Sequence, residues 1–234
     1  DRPVRLSPEQ ARVVGSLIEK QLTTPQQYPL TLNALVLACN QSSNRAPVVE
    51  FDEGTVENAL ATLKAAGLVR FVHPSHGRSV TRYEQLLGEQ LALSERQLAL
   101  IAVLMLRGPQ TVGELRSRTE RMCDFDGVND IDLELERLKK LPEPAVERLS
   151  RQPGQKEERW TQLLTDSSAA LVRAAGPLLS EGIRRPAGGP ADAEALTDVA
   201  AQVAELRFEI AELREQLALL RDLVEPRSRR DETT

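Results

Sequence analysis

The sequence DEGTVENALATLKAAGLVRFVHPSHGRSVTRY, residues 52–83, decides the fold of this chain. Asp52 is typical of a helix N-cap, and Gly67 is the residue type that closes a helix in the left-handed conformation. Between them, apolar residues recur on one helical face: Val56, Ala59, Leu60 and Leu63. Two β-rich runs, residues 68–72 and 78–83, then flank a turn rich in Pro and Gly. The pattern predicts a helix followed by a β-hairpin.

Two more helices are predicted before this segment. Ser7, with Pro8 at the first helical position and Gln10 three residues after the cap, forms a capping box that starts the first helix. Thr31 is expected to cap the second helix. Three helices and a hairpin within residues 6–90 are the arrangement of a winged helix-turn-helix domain.

The same order of elements returns in residues 91–165. Ser94 and Thr111 each begin a capping box, and Asp126 is expected to cap a third helix. The last elements predicted here are the strands of a second hairpin, residues 146–149 and 159–163. We therefore expect a mainly α protein with small β-hairpins, of the α+β class, built from two tandem winged helix-turn-helix domains.

The remaining residues predict a linker, a coiled-coil helix and a tail. Residues 166–195 are rich in Ala, Gly and Pro, which is typical of a flexible linker, and residues 226–234 are expected to be disordered. Residues 196–225 repeat apolar residues at spacings of three and four, the pattern of a parallel homodimeric coil in which Glu209 faces Arg214 of the second copy. The alternative is that this stripe packs back on the chain's own domains. The residues assigned to dimerisation are Val203, Leu206, Ile210, Leu213, Leu217 and Leu220.

The overall composition narrows the class of protein. Asp and Glu outnumber Lys and Arg, 35 to 30, so a net charge of −5 gives no general attraction to nucleic acid or anionic membranes. The two cysteines, Cys39 and Cys123, show no pairing pattern, which favours a reducing compartment. The longest apolar run, residues 98–106, is shorter than the roughly 20 residues of a membrane-spanning helix, and no export signal is visible. We expect a cytoplasmic protein without membrane contact.

The motifs of catalytic and cofactor sites are missing from the sequence. It has no Gly-Lys-Ser/Thr phosphate loop, no dinucleotide-binding fingerprint and no Gly-x-Ser-x-Gly elbow. The two histidines, His73 and His76, stand in the first hairpin turn, where simple exposure is more common than metal binding. We therefore expect no enzymatic activity, no cofactor and no metal site.

Two long motifs carry a family resemblance. The first comprises Glu19-Lys20, Thr23-Thr24-Pro25, Tyr28-Pro29-Leu30-Thr31-Leu32-Asn33, Ala38-Cys39-Asn40-Gln41, Asn44-Arg45 and Pro47-Val48. The second comprises Arg107-Gly108-Pro109-Gln110-Thr111, Gly113-Glu114-Leu115-Arg116 and Phe125. Together they resemble the signature of the YceH-like bacterial proteins over residues 6–165, which implies tandem winged-helix folds and no settled activity. The family pattern has a basic residue after Gln41, whereas this chain has Ser42 there.

The charges of the predicted third helices argue against the usual docking of such a helix in the major groove. Acidic residues lead both helices, at 52–57 and 126–136, and carboxylates against DNA phosphates oppose binding. Basic residues instead occupy the predicted turns, hairpins and short second helix. With one glutamine they form the candidate nucleic-acid-binding set: Lys20, Gln41, Arg45, Arg78, Arg82, Arg116, Arg118 and Lys156.

Two functions remain open at this point. In the first, the protein is a dimeric regulator that binds double-stranded DNA weakly through its hairpins and turns. In the second, it is an assembly module whose acidic third helices contact a basic protein partner. Ordinary solvated arginines remain the alternative interpretation of the basic set.

Overall fold

The computed structural model describes residues 4–73, 80–151 and 154–165, together with seven residues between 203 and 217. The part described is mainly helical with two small antiparallel strand pairs, so the α+β class is confirmed. The helices are α1 (Pro8–Thr23), α2 (Leu32–Cys39), α3 (Glu53–Ala65), α4 (Leu87–Gln90), α5 (Glu95–Arg107), α6 (Val112–Thr119) and α7 (Val128–Lys139), with a short 3₁₀ turn at Pro25–Gln27. The strands are β1 (Val69–Val72), β2 (Arg82–Gln85), β3 (Val146–Leu149) and β4 (Arg159–Gln162).

Side-chain caps start the helices where the sequence places them. Five caps accept a hydrogen bond from the backbone N–H three residues later, as predicted: Ser7, Thr31, Asp52, Ser94 and Thr111. The helix α3 ends at Gly67, whose φ of +71° is the left-handed conformation predicted there. The prediction for Asp126 is wrong, because Gly127 is the N-cap of α7 and makes no side-chain cap bond.

Each half of the described chain carries one hairpin with the same additional contact. In the first half, residues 6–90, the backbones of Leu30 and Tyr83 exchange hydrogen bonds of 3.1 and 2.7 Å. In the second half, residues 91–165, Gln110 and Trp160 exchange bonds of 3.0 and 2.8 Å. Leu30 lies just before α2, Gln110 lies just before α6, and each pairs with the second strand of its hairpin. The two halves therefore repeat one arrangement.

The hairpin strands differ in how well they match the prediction. The pair β3 and β4 forms as predicted, from Val146 opposite Gln162 to Leu149 opposite Arg159. In the first hairpin, β2 starts at Arg82 rather than at residue 78. Residues 74–79 lie outside the described part of the chain.

The two halves share one hydrophobic core. Residues 11–20 of α1 and 98–106 of α5 are buried throughout, because α1 packs against α2, α3 and α5. Gly15 allows this close approach, since a Cβ built on it would lie 3.1 Å from the Leu106 side chain. The domain boundary between residues 90 and 91 stays a prediction, and the buried cluster runs across it.

Within the predicted coiled coil, the structure describes seven residues, and all are helical and exposed. Five of them are apolar a and d positions whose exposed fractions range from 42% to 64%: Val203, Leu206, Ile210, Leu213 and Leu217. Leu220, the linker of residues 166–195 and the tail of residues 226–234 lie outside the described residues.

None of the helices in the described segments has the length and apolar content needed to cross a membrane.

Candidate anion-binding site

Two of the basic residues assigned to a surface set are buried. Lys20 is 1% exposed and Arg45 is 6% exposed, so the expectation of a surface position is wrong for both. Arg45 instead ties α1 to α2: its Nε and Nη2 donate to the Ala38 carbonyl at 3.1 and 2.8 Å, and its Nη1 donates to Glu19 at 3.0 Å. These bonds give Arg45 a structural role, which is to hold α1 and α2 together. Its position in a turn of the sequence does not reveal that role.

The Glu19 carboxylate is held in its charged form inside the protein. Burial raises the pKa of Glu19, but the charge and hydrogen bonds of Arg45, with smaller contributions from Lys20 and Arg107, keep that pKa below its usual value. Both Glu19 oxygens accept from Arg45, the second at 2.5 Å. The Arg45–Glu19 pair is therefore formally neutral, and it does not cancel the positive charge of the other cations nearby.

Arg82 and Arg159 are structural anchors at matching positions in the two halves. Arg82 Nη1 donates to the Pro29 carbonyl and Arg159 Nη1 donates to the Pro109 carbonyl, both at 2.8 Å. Arg159 also forms a forked pair with Glu114, at 2.8 and 3.2 Å. Arg82 therefore ties the loop before α2 to strand β2, and Arg159 ties the loop before α6 to strand β4.

The rest of the predicted set is more accessible. Arg116 and Lys156 are exposed, Arg118 and Gln41 are partly buried, and Arg78 lies outside the described residues. The side chains of Arg116 and Arg118 form no hydrogen bond or ion pair with the described residues. The arginines of α6 are therefore available to a ligand.

A small cavity, which we call the basic pocket, lies between the two halves and has a volume of about 50 Å³. Four cations line it: Lys20, Arg107, Arg118 and Arg121. The polar and apolar residues of the wall are Glu19, Thr23, Gln41, Ser43, Asn44, Val103, Leu106 and Met122. Three members of the predicted set, Lys20, Gln41 and Arg118, are thus brought together, although in a cavity rather than on an open edge.

Arg107 is a cation of the basic pocket that is not among the candidate binding residues identified in the sequence. It ends α5, and its guanidinium donates to the Asn44 side chain across the two halves. Burial and, to a smaller extent, the nearby charges of Arg118 and Arg45 lower the pKa of Arg107 to about 10, while the charges of Glu19 and Glu114 oppose this shift. The pocket therefore concentrates positive charge in a partly desolvated space.

The acidic helices have different surroundings. On α3, the carboxylates of Asp52, Glu53 and Glu57 are exposed. On α7, every acidic side chain has a cationic partner within the chain: Asp130 with Arg96 at 2.8 Å, Glu134 with Arg137 at 2.6 Å, and Asp132 and Glu136 with Arg148 at 3.0 and 3.1 Å. Intramolecular pairing thus already occupies the α7 carboxylates.

These features define a mainly helical α+β protein with two similarly built halves and a cation-lined pocket between them. Residues 6–155 match the family described as "Protein of unknown function, DUF480", and the chain belongs to this family, called UPF0502 in its relatives. The resemblance to YceH-like proteins is confirmed at the level of the family. The matched span contains every residue that lines the basic pocket.

The relatives are similar over most of their length. A UPF0502 protein of Solibacter usitatus is 44% identical over 203 residues, which are 87% of this chain and 93% of the relative. One of Koribacter versatilis is 51% identical over 159 residues, 68% of this chain and 73% of the relative. One of Pseudomonas aeruginosa is 48% identical over 191 residues, 81% of this chain and 84% of the relative.

Proposed function

We propose that the protein is a non-enzymatic, dimeric regulator built from two winged helix-turn-helix domains, and that it binds duplex DNA through arginines on and beside α6. The observation that carries the proposal is the set of arginines at α6: Arg116 is exposed, and the side chains of Arg116 and Arg118 form no hydrogen bond or ion pair with the described residues, although the charge of Glu114 acts on Arg118. Such cations supply the phosphate contacts that dominate affinity for DNA.

The repeated hairpin contact supports the winged-helix interpretation. A winged helix joins three helices to a hairpin, and each half has this order of elements. The exchange of hydrogen bonds between Leu30 and Tyr83 recurs between Gln110 and Trp160, which ties the hairpin to the same point of the helical core in each half.

The pairing of the α7 carboxylates argues against a basic protein partner at α7, whereas the carboxylates of Asp52, Glu53 and Glu57 at α3 are exposed. A basic partner would have to displace the arginines that pair with the α7 carboxylates, such as Arg148 with Asp132 and Glu136. DNA phosphates, in contrast, would meet exposed Arg116 without breaking an ion pair. Phosphate contacts position a protein on DNA and carry little sequence information, so we expect modest sequence preference.

The cysteine chemistry supports a non-enzymatic function. Burial raises the pKa of Cys39 and of Cys123 to about 11 in each case. Both thiols are therefore protonated at neutral pH, and a protonated thiol is a poor nucleophile. Cysteine nucleophilic catalysis is not supported at either position.

Replacing Arg116 with glutamate is expected to weaken binding to a random-sequence duplex roughly tenfold at low salt and to reduce the slope of log K against log salt by about one. Lys64→Glu, the same charge reversal on exposed α3, is the matched control and should change little. Fluorescence anisotropy at several salt concentrations measures both quantities. If the wild-type protein binds no duplex at low salt, or if the two variants behave alike, the proposal fails.

Dimerisation is proposed through the apolar stripe of residues 196–225. The described a and d residues, including Ile210 and Leu217, are exposed, so the described part of the chain does not cover them. A second copy fits it, because the heptad spacing matches and Glu209 of one chain meets Arg214 of the other.

Ile210→Asp is expected to convert the dimer to a monomer, because it places a charge in the apolar seam. Ala211→Asp adds the same charge at the neighbouring b position of the heptad, outside the seam, and should leave the dimer intact. Light scattering of both variants and of the wild-type protein gives the mass directly. A monomeric wild-type protein would instead support the alternative in which the stripe packs on its own domains.

A further inference from the structure

We infer that the basic pocket binds a small free oxyanion of the phosphate class, and that the bound anion links the two halves of the protein. This ligand site shares Arg118 with the DNA surface proposed above, but binding of a small anion there does not require that the protein binds DNA. Its walls come from the end of α1 in the first half and from α5 and α6 in the second.

Charge is the first reason for an anion. Lys20, Arg107, Arg118 and Arg121 give the wall four positive groups, and Glu19 is its one acidic residue. Arg45, behind the wall, satisfies both Glu19 oxygens and so cancels that acidic group. The pocket retains an excess of positive charge that an oxyanion would neutralise.

The partial burial of these cations is the second reason. Lys20 is 1% exposed, and Arg107 is partly buried beside Arg118, whose charge adds to the effect of burial in lowering the pKa of Arg107. Holding like charges together away from water costs free energy, and a bound anion offsets that cost. Electrostatic attraction is stronger there than on an exposed helix, because water screens it less.

The neutral part of the wall supplies a hydrogen-bond donor. The Ser43 hydroxyl oxygen is buried and has no hydrogen-bond partner among the described residues. A buried hydroxyl without a hydrogen-bond partner is unfavourable, and an anion oxygen in the pocket would accept a hydrogen bond from it. Ser43 also comes from the first half, so the ligand would be contacted from both halves.

Size selects a small free anion rather than a nucleic-acid strand. A single water needs a cavity of roughly 10–15 Å³, and this cavity of about 50 Å³ has room for a group of phosphate size. The sugars on both sides of a DNA phosphate would have to lie outside this volume. The inferred ligand is therefore inorganic phosphate or a compact phosphorylated molecule.

The test is a calorimetric titration of the full chain with inorganic phosphate, against sodium chloride at equal ionic strength. The wild-type protein should bind phosphate, and Arg118→Ala should weaken the affinity by about tenfold or more. Ser43→Ala should weaken it by a smaller factor. Arg137→Ala is the matched control, because Arg137 is an exposed arginine of α7 that neither lines the pocket nor belongs to the proposed DNA surface, so this variant should retain wild-type affinity.

Thermal unfolding without phosphate checks that the variants are folded, and added phosphate should raise the melting temperature most for the wild-type protein and Arg137→Ala, less for Ser43→Ala and least for Arg118→Ala. Equal heats for phosphate and chloride, or equal losses in Arg118→Ala and Arg137→Ala, would overturn the inference. The duplex assay separates the two proposals. Phosphate binding without DNA binding supports the pocket and refutes the DNA function, and DNA binding without phosphate binding does the reverse.

Discussion

Arg45→Met is expected to lower the free energy of unfolding by about 3–5 kcal/mol, because it leaves a buried carboxylate without its partner. Arg45 supplies hydrogen bonds to both oxygens of Glu19, and its side chain is fully buried. Methionine fills a similar volume but cannot donate a hydrogen bond. Urea denaturation at neutral pH measures the loss.

Two further variants separate this buried pair from an ordinary one. Arg70→Met breaks the pair of Arg70 with Glu84, in which the arginine side chain is 54% exposed, and should cost less than about 1 kcal/mol. Arg45→Met combined with Glu19→Gln removes the uncompensated charge and should restore part of the stability. Equal losses for Arg45→Met and Arg70→Met would show that burial of the pair contributes nothing.

The same pair gives the acid dependence its sign. The folded-state pKa of Glu19 is lowered, so the stability that its charge contributes is present above the unfolded value of 4.5 and is lost as the pH falls through the folded value. In Arg45→Met the carboxylate is buried without its main cationic partner, which raises its pKa. The variant should therefore lose less stability than the wild-type protein when the pH is lowered below 4.5.

The local features of the fold could be predicted because their causes are local. Ser94 and Gln97 satisfy each other's backbone groups three residues apart, and Thr111 and Glu114 do the same. Gly67 takes a positive φ that other residues resist. Each feature depends on neighbours in the sequence, so the helix ends and the hairpins follow from the sequence directly.

The pocket could not be predicted, because its causes are distant in the sequence. Arg45 pairs with Glu19 across 26 residues, and Arg107 contacts Asn44 across 63. A charged residue in a turn is normally solvated, and that expectation wrongly placed Arg45 on the surface. One signal was present in the sequence. Glu19 and Lys20 come directly after the apolar residues of α1, and a charged pair in that position needs partners if it is buried.

Packing between the halves was the other feature that the sequence left open. Residues 11–20 contain Arg12, Glu19 and Lys20, so the helix reads as amphipathic with one solvated side. In the structure all ten residues are buried, because α5 packs against α1 in addition to α2 and α3. Periodicity within one helix cannot reveal that a helix from the other half of the chain will also pack against it.

Gly15→Leu tests that packing, and we expect it to lower the free energy of unfolding by about 3 kcal/mol, near the upper end of the usual cost of overpacking. A Cβ at position 15 would already lie 3.1 Å from Leu106 and 3.2 Å from the Met105 Cβ. The three further carbons of leucine have no space between α1 and α5, so the helices must separate and expose part of the shared core. Denaturant unfolding measures the loss.

Gly54→Leu is the matched control, since Gly54 lies in the exposed first turn of α3 and a Cβ there meets only the Asp52 side chain, at 3.8 Å. This substitution should be neutral or stabilise the protein by up to about 1 kcal/mol, because leucine has the higher helix propensity. Calorimetry adds a second measurement. A shared core predicts one unfolding transition for both halves in the wild-type protein, whereas two separate transitions and an unaffected Gly15→Leu variant would show that the halves fold independently.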